Sequence, residues 1–308
     1  MKKLSLVIPV YNEQEVILQF LRETKAELQK LRITYEYVFV DDGSTDRTAE
    51  ILKAKAAKDS RIKLVVFSYN HGKAYAVSAA IAYATGEYLL YMDPDLQDSP
   101  SDIPRMLKEI EKGYDLVWGI RKEKKDSFWN RQFSKIFWLS LGKFTGLKIP
   151  KGIAVFRIFN REFADEFLRY RESNRFIEGI FLSISKKFTT LEVSQRERFA
   201  GKTKFNLKRK IQLASDAVFD FSEVPLTFTV RLGMLMVGLG AVGLLGLVVA
   251  KLFFVEFQAG WPSVIVAIIT AFGMQLFFLG IVSIYIGRIY RETKRRPLFS
   301  VKEIINLT

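Results

Sequence analysis

The chain has 308 residues, 47 Lys or Arg against 33 Asp or Glu, a formal net charge of +14, no cysteine and one histidine, His71. Disulfides, thiolate metal sites and multi-histidine centres are thereby excluded, leaving carboxylate, arginine and lysine chemistry aimed at an anionic partner: nucleic acid, a membrane surface or a phosphorylated substrate. The length suits one large domain or two ordinary ones, and a mean hydropathy of +0.09 alongside 26% charged residues means that the apolar residues are segregated.

Residues 4–10 are an apolar run that predicts a buried first strand; it is too short for a secretory leader and stops at Tyr11-Asn12-Glu13. Over 15–31, Val16, Phe20, Leu21, Leu28 and Leu31 recur at helical spacing. A second strand over 35–40 is closed by Asp41-Asp42-Gly43-Ser44-Thr45-Asp46, a turn that offers a cap to the helix running through Ala49, Ile51 and Leu52. A third strand over 62–67, an Ala-rich helix over 73–84 and a fourth strand over 87–92 complete a strand–helix alternation that predicts a parallel, doubly wound sheet.

Asp93 and Asp95 stand where the fourth strand ends, with Pro94 stiffening the link between them. Ligands of open α/β sheets bind at the carboxyl ends of the strands. Asp oxygens are the usual ligands of Mg²⁺ or Mn²⁺, often shared with substrate phosphates. By itself the pair is equally compatible with a polar loop capping a helix that begins near Pro100. A helix over 101–111 and a strand over 114–120 follow.

The character then changes. Arg121-Lys122-Glu123-Lys124-Lys125 is a charge run, and by default a solvated face. Over 127–145, Phe128, Trp129, Phe133, Phe137, Trp138 and Phe144 interleave with Arg131, Lys135 and Lys143. That pattern fits a helix lying in a membrane interface, or a core helix with an aromatic face. Residues 153–159 read as another strand, and 181–185 are apolar. Between 196 and 210 there are seven Lys or Arg and one Glu. An amphipathic segment over 206–222 leads to Pro225.

Residues 232–250 are nineteen without a charge, and 260–287 are twenty-eight. Spanning a hydrocarbon core of ~30 Å takes roughly twenty helical residues, so both are expected to cross a membrane. Six basic residues follow Gly287, and the basic stretch at 196–210 precedes the first span. The positive-inside rule therefore predicts a multi-pass membrane protein with both termini cytoplasmic. The expected organisation is a cytoplasmic domain over 1–225 with interface helices near 127–145 and 206–222, a transmembrane hairpin over 226–288 and a basic tail over 289–308. The membrane accounts for the positive charge without nucleic acid. Glycines at 233, 238, 240, 243 and 246 would permit close helix packing, and with it a homo-oligomer.

Glu13, Asp42, Asp93 and Asp95 lie at the carboxyl ends of predicted strands and could converge on one crevice. No Gly-x-Gly-x-x-Gly and no Walker loop is present. A cytoplasmic cation site beside a membrane, ringed by arginines, suits a nucleotide diphosphate donor and an anionic lipid acceptor. Val7-Ile8-Pro9-Val10-Tyr11-Asn12-Glu13, Val40-Asp41-Asp42-Gly43-Ser44-Thr45-Asp46 and Asp93-Pro94-Asp95-Leu96-Gln97-Asp98 resemble the three signatures of glycosyltransferase family 2, whose fold is GT-A. With Asn70-His71-Gly72-Lys73 and the paired spans, the whole chain resembles its polyprenyl-phosphate glycosyltransferases. The resemblance implies that Pro9, Tyr11, Glu13, Asp42 and Asp93 line the nucleotide-sugar pocket. It implies further that Asp93, Asp95 and Gln97 hold Mg²⁺ or Mn²⁺, and that Arg121, Arg131, Arg198 and Lys204 bind the acceptor phosphate. Asp95, Arg131 and Arg198 are then the residues expected to carry catalysis, and His71 is a loop residue.

One departure stands out. Relatives carry acids just before Phe-Arg, where this chain reads Lys151-Gly152-Ile153-Ala154-Val155-Phe156-Arg157. An acceptor phosphomonoester, with a second pKa near ~6, is largely anionic at neutral pH and gains little from a general base. The resemblance implies inverting transfer of one sugar, glucose from UDP-glucose as the family-weighted choice, to undecaprenyl phosphate at the bacterial inner (plasma) membrane, for the cell envelope. N-acetylglucosamine, mannose and an amino-arabinose stay open as the sugar. A processive synthase would carry a Gln-x-x-Arg-Trp motif that is absent here. A catalytically weakened membrane scaffold is the alternative from another class, and the missing acids are its support.

Overall fold

A computed structural model describes residues 3–121, 150, 152–173, 175–196, 224–253, 260–294 and 296–307. The chain divides into two compact units, Met1–Ile211 with Pro297–Thr308, and Gln212–Arg296. The expected interface helices near 127–145 and 206–222 lie outside the described residues.

The first unit is built on β1 (Lys3–Val10), α1 (Ile17–Gln29), β2 (Thr34–Asp41), α2 (Thr48–Ala56), β3 (Ile62–Phe67), α3 (Lys73–Tyr83) and β4 (Tyr88–Tyr91). These strands are continuous apolar runs because helices cover both faces of a parallel sheet. In α1, Ile17, Phe20, Thr24 and Leu28 form the buried face. Phe20 meets Phe39 of β2 edge to face at 6.3 Å, and the buried Tyr37 hydroxyl finds Thr24 Oγ1 at 3.2 Å.

After a 3-10 turn at Pro100–Asp102 come α4 (Ile103–Ile110), β5 (Leu116–Arg121), β6 (Ile153–Asn160), α5 (Arg161–Arg169), α6 (Ile177–Ile184) and β7 (Phe188–Val193). Among the described residues the sheet has eight strands in the order β7-β5-β6-β4-β1-β2-β3-β8, where β8 is Val301–Ile305. The block β3-β2-β1-β4 is parallel, as expected. However, β6 inserts antiparallel between β4 and β5, and β8 runs antiparallel along β3, so the sheet is mixed.

Neither β7 nor β8 is expected from the sequence. Both are edge strands of mixed character, Phe-Thr-Thr-Leu-Glu-Val and Val-Lys-Glu-Ile-Ile, and edges do not need the continuous apolar run of a central strand. The expected basic tail over 289–308 accordingly begins as helix and ends as the outermost strand of the sheet.

The second unit contains α7 (Val224–Phe253) and α8 (Trp261–Thr293). The expected hairpin over 226–288 corresponds to these helices. Among the described residues one helical stretch, Ala271–Thr293, is long and apolar enough to cross a membrane, and the apolar stretch Leu226–Met236 is shorter. A Cβ built on Gly233, Gly238, Gly243 or Gly246 would meet nothing within 4 Å among the described residues. Within the described part of a single chain, these glycines therefore mediate no close packing.

Candidate active site

The carboxyl ends of β1, β2 and β4 bring the expected residues together, and the loops that follow are tied to one another. Asn12 adopts a left-handed backbone (φ 54°); its N–H donates to Ser44 Oγ at 2.9 Å and its Oδ1 accepts from Thr45 N at 2.8 Å. Glu13 N donates to Thr48 Oγ1 at 2.8 Å. These bonds lock the turn after β1 to the turn after β2, leaving Pro9 buried and Tyr11 and Glu13 half-buried.

Asp41 closes the second turn by accepting from both Ser44 Oγ and Ser44 N. Gly43 sits at φ +68°, and a Cβ there would lie 2.6 Å from the Tyr69 carbonyl carbon, so only glycine lets this turn touch the loop after β3. Asp42 fastens the contact: its carboxylate accepts from His71 N at 2.7 Å and Gly72 N at 3.0 Å, at the amino end of α3. Burial pushes the carboxyl pKa of Asp42 up, against the pull of those amides. The position expected to line the nucleotide pocket therefore also orders the 69–72 loop. His71 is part of that loop: its ring stacks on Tyr69 at 4.1 Å, and its Nε2 accepts from Ser300 N at 3.1 Å.

The turn after β4 carries the paired carboxylates. Asp93 Oδ2 accepts from Lys73 Nζ, the first residue of α3, at 2.6 Å. Asp95 Oδ1 accepts from Gln97 N at 3.2 Å, an Asx turn that Leu96 completes in a left-handed conformation at φ 57°. Asp98 is 3% exposed, and its Oδ1 takes Arg121 Nε at 3.0 Å and Nη2 at 2.8 Å. Burial, with the charges of Asp93 and Asp95, raises the Asp98 pKa against the pull of Arg121. Three carboxylates thus share one turn, and Arg121, expected at the acceptor phosphate, has a buried partner inside the turn itself. The far side is fastened to the segment leaving β7, through Arg196 N to Gln97 O at 2.8 Å and Ser99 N to Ser194 O at 3.3 Å. Arg131, Arg198 and Lys204 lie outside the described residues.

Among the described residues no group of three or more His, Cys, Asp or Glu has metal-ligand spacing. The pair at Asp93 and Asp95 nonetheless fits a cation bound by one or two carboxylates together with substrate phosphates, the usual arrangement for Mg²⁺. A cationic group already sits on Asp93, since the Lys73 ammonium occupies one of its oxygens. Lys73 and Asp98 stand in the sequence as members of the Asn70–Lys73 and Asp93–Asp98 motifs, with no role assigned to either. Glu178 carries no signal there, and Arg157 stands out only as half of the Phe-Arg pair, because α6 and β6 meet this end of the sheet only in three dimensions.

The model of a family described as glycosyl transferase family 2 matches residues 5–168. YkcC of Bacillus subtilis, an uncharacterized glycosyltransferase, is 37% identical over 97% of this chain and 93% of its own length. The uncharacterized glycosyltransferase sll0501 of Synechocystis sp. is 34% identical, covering 99% of this chain and 96% of its own. An undecaprenyl-phosphate 4-deoxy-4-formamido-L-arabinose transferase of Pseudomonas fluorescens is 34% identical over 98% of this chain and 90% of its own.

Proposed function

The chain belongs to glycosyl transferase family 2, and on that premise we propose that it moves a single sugar from a nucleotide diphosphate sugar to undecaprenyl phosphate. The observation that carries this reading is the Asp93-Pro94-Asp95 turn at the end of β4, in a chain alike over nearly its whole length to a transferase named for that acceptor. Glucose, the sugar expected from the sequence, finds no support among these relatives. The Pseudomonas enzymes are named for 4-deoxy-4-formamido-L-arabinose, which puts that sugar ahead of it.

In this reading Asp93, Asp95 and Gln97 hold Mg²⁺ or Mn²⁺, which when bound supplies electrostatic stabilisation of the departing diphosphate. Pro9, Tyr11, Glu13 and Asp42 border the nucleotide. Arg131, Arg198 and Lys204, with any share of its charge that Arg121 does not give to Asp98, hold the acceptor phosphate in line. One oxygen of that phosphate attacks the anomeric carbon while the bond from that carbon to the diphosphate oxygen breaks, which inverts the centre. The attacking oxygen is already ionised at neutral pH, so the lack of an acid between 150 and 157 does not stop the step. Alignment and leaving-group stabilisation are the main contributions left to the protein. The apolar stretch Ala271–Thr293 supports an anchor in the membrane where the lipid acceptor resides.

The test is to incubate membranes containing the protein with radiolabelled nucleotide sugars and Mg²⁺ or Mn²⁺, and to ask which label enters the lipid phase. The formamido-arabinose donor is expected to label it. Glucose, N-acetylglucosamine or mannose label would change the sugar and keep the reaction. Absence of lipid label from every donor would leave the scaffold reading in its place.

A further inference from the structure

Arg157 is a charged residue sunk in the middle of the sheet. It lies in β6 opposite Tyr91 of β4 and Trp118 of β5, and its side chain is 1% exposed. The guanidinium is enclosed by aromatic rings, with Cζ 4.6 Å from the Trp118 centroid, 4.8 Å from Phe181 and 5.0 Å from Tyr91. Nε donates to Val155 O at 2.9 Å, Nη2 pairs with Glu178 Oε1 at 3.2 Å, and Nη1 has no hydrogen-bond partner among the described residues. A buried ion pair is weak evidence for stability, and an unsatisfied buried N–H needs a reason beyond packing.

The partner points to the reason. Glu178 opens α6, where a carboxylate is favoured by the helix dipole, and a third of it remains exposed. Its charge acts on Lys73 and on Tyr91. Lys73 in turn lies over the Tyr91 ring at 5.8 Å and holds Asp93 at 2.6 Å. A continuous set of contacts therefore runs from Asp93 through Lys73 and Tyr91 to Arg157 and Glu178. The sugar of a nucleotide diphosphate sugar is bonded directly to the terminal phosphate. If Asp93 and Asp95 face that phosphate, the sugar needs polar partners beside them, and the set of contacts that starts at Asp93 ends at the partly exposed Glu178.

We propose that Glu178 is a sugar-reading residue of the donor site: its carboxylate, aimed by Arg157, accepts hydrogen bonds from hydroxyl or N–H groups of the donor sugar. Arg157 is the positioning residue, and its burial under three rings is what makes the aim rigid. The assignment rests on the donor reading of Asp93 and Asp95, and the test separates the two.

Full-length protein in detergent is titrated with UDP, UDP-glucose, UDP-N-acetylglucosamine and UDP-4-deoxy-4-formamido-L-arabinose in the presence of Mg²⁺. Wild type is expected to bind at least one UDP-sugar more tightly than UDP. Glu178→Ala should lose fivefold or more of that affinity while UDP binding, which also reports the fold, stays within twofold. Glu178→Gln, which keeps an acceptor for Arg157, should fall between them, and Arg157→Lys should shift discrimination in the same direction. Asp95→Asn should weaken UDP and UDP-sugars alike, and unchanged UDP binding in that variant would remove the donor reading itself. If Asp95→Asn behaves as expected but wild type does not distinguish any UDP-sugar from UDP, the inference about Glu178 alone is wrong. The same holds if the Glu178 variants discriminate as wild type does, or lose UDP and UDP-sugar equally.

Discussion

Asp93 faces two claims on one carboxylate: the Lys73 ammonium at 2.6 Å and the divalent cation that a diphosphate donor would bring. Asp95 differs, because its Oδ1 accepts the Gln97 amide within its own turn. Replacing it by Asn keeps a side-chain acceptor for that turn and removes one negative charge. Asp95→Asn is therefore expected to fold and insert normally while transfer falls by about 10²-fold or more, the scale seen when one electrostatic contact to a leaving group is lost. Chelation should reproduce the loss in wild type, and added Mg²⁺ or Mn²⁺ should reverse it. Full transfer in excess chelator would reduce the turn to a helix cap. A second carboxylate responds to pH. Glu36, 2% exposed, accepts from Ser5 Oγ at 2.6 Å and Thr85 N at 2.7 Å and pairs with Lys3 and Lys63 at 2.7 and 2.9 Å. Burial alone would push its pKa up; the four donors outweigh that and lower it from 4.5 to about 2. A lowered folded value means that the stabilisation is complete above the unfolded pKa and lost as pH falls from 4.5 to about 2. Wild type should lose about 3 kcal/mol more than Glu36→Gln across that window, measured as unfolding free energy. Parallel acid limbs would show that the cluster carries no net stabilisation.

Among elements, β8 departs furthest from what the sequence suggests, and the reason is physical. Apolar runs such as that of β1 announce central strands because both faces must be buried, whereas Val301–Ile305 alternates half-buried and exposed residues within a basic segment. The Asp-x-Asp turn was legible for the same reason in reverse: β4 is short and apolar, so polar residues mark its end sharply. The lacing between loops was not legible, since Asp42 to His71 or Gln97 to Arg196 are pairings of residues distant in sequence. The strand β8 and the residues beside it supply several such pairings. Phe299 stacks on Phe67 at 5.1 Å, Ser300 bonds to Ser68 and His71, Glu303 pairs with Lys53, and Asn306 Nδ2 donates to Ala56 O and Ile62 O. Deleting residues 297–308 would open the edge of β3 and release the loop whose amides clasp Asp42. The expected outcome is a loss of about 3 kcal/mol or more in unfolding stability, the range for removing a packed aromatic and its bonded neighbours. Faster hydrogen exchange in β3 and weaker UDP binding should accompany it. Unchanged exchange in β3 would mean that the strand does not hold the edge.

For the whole molecule, the pairing of β8 with β3 constrains the path through a membrane. The strands from β1 to β7 and the strand β8 build one sheet, so both ends of the chain lie on the same side of any bilayer that it crosses. We therefore propose that the segment 212–296 between them crosses an even number of times. A single crossing by Ala271–Thr293 would strand β8 on the far side from β3, away from its partners. In that proposal α7 spans together with α8, and its 30 residues are long enough, at 1.5 Å per residue, for a core of ~30 Å. This constraint owes nothing to charge, yet it agrees with the excess of Lys and Arg at 196–210 and after Gly287, which the positive-inside rule places in the cytoplasm. It predicts that a protease added to sealed, right-side-out vesicles spares a tag fused after Thr308, and that permeabilising the vesicles exposes it. The same preparation with inside-out vesicles should lose the tag at once. Cleavage from the outer face of intact right-side-out vesicles would mean an odd number of crossings, and β8 could then not pair with β3 in the membrane-bound protein.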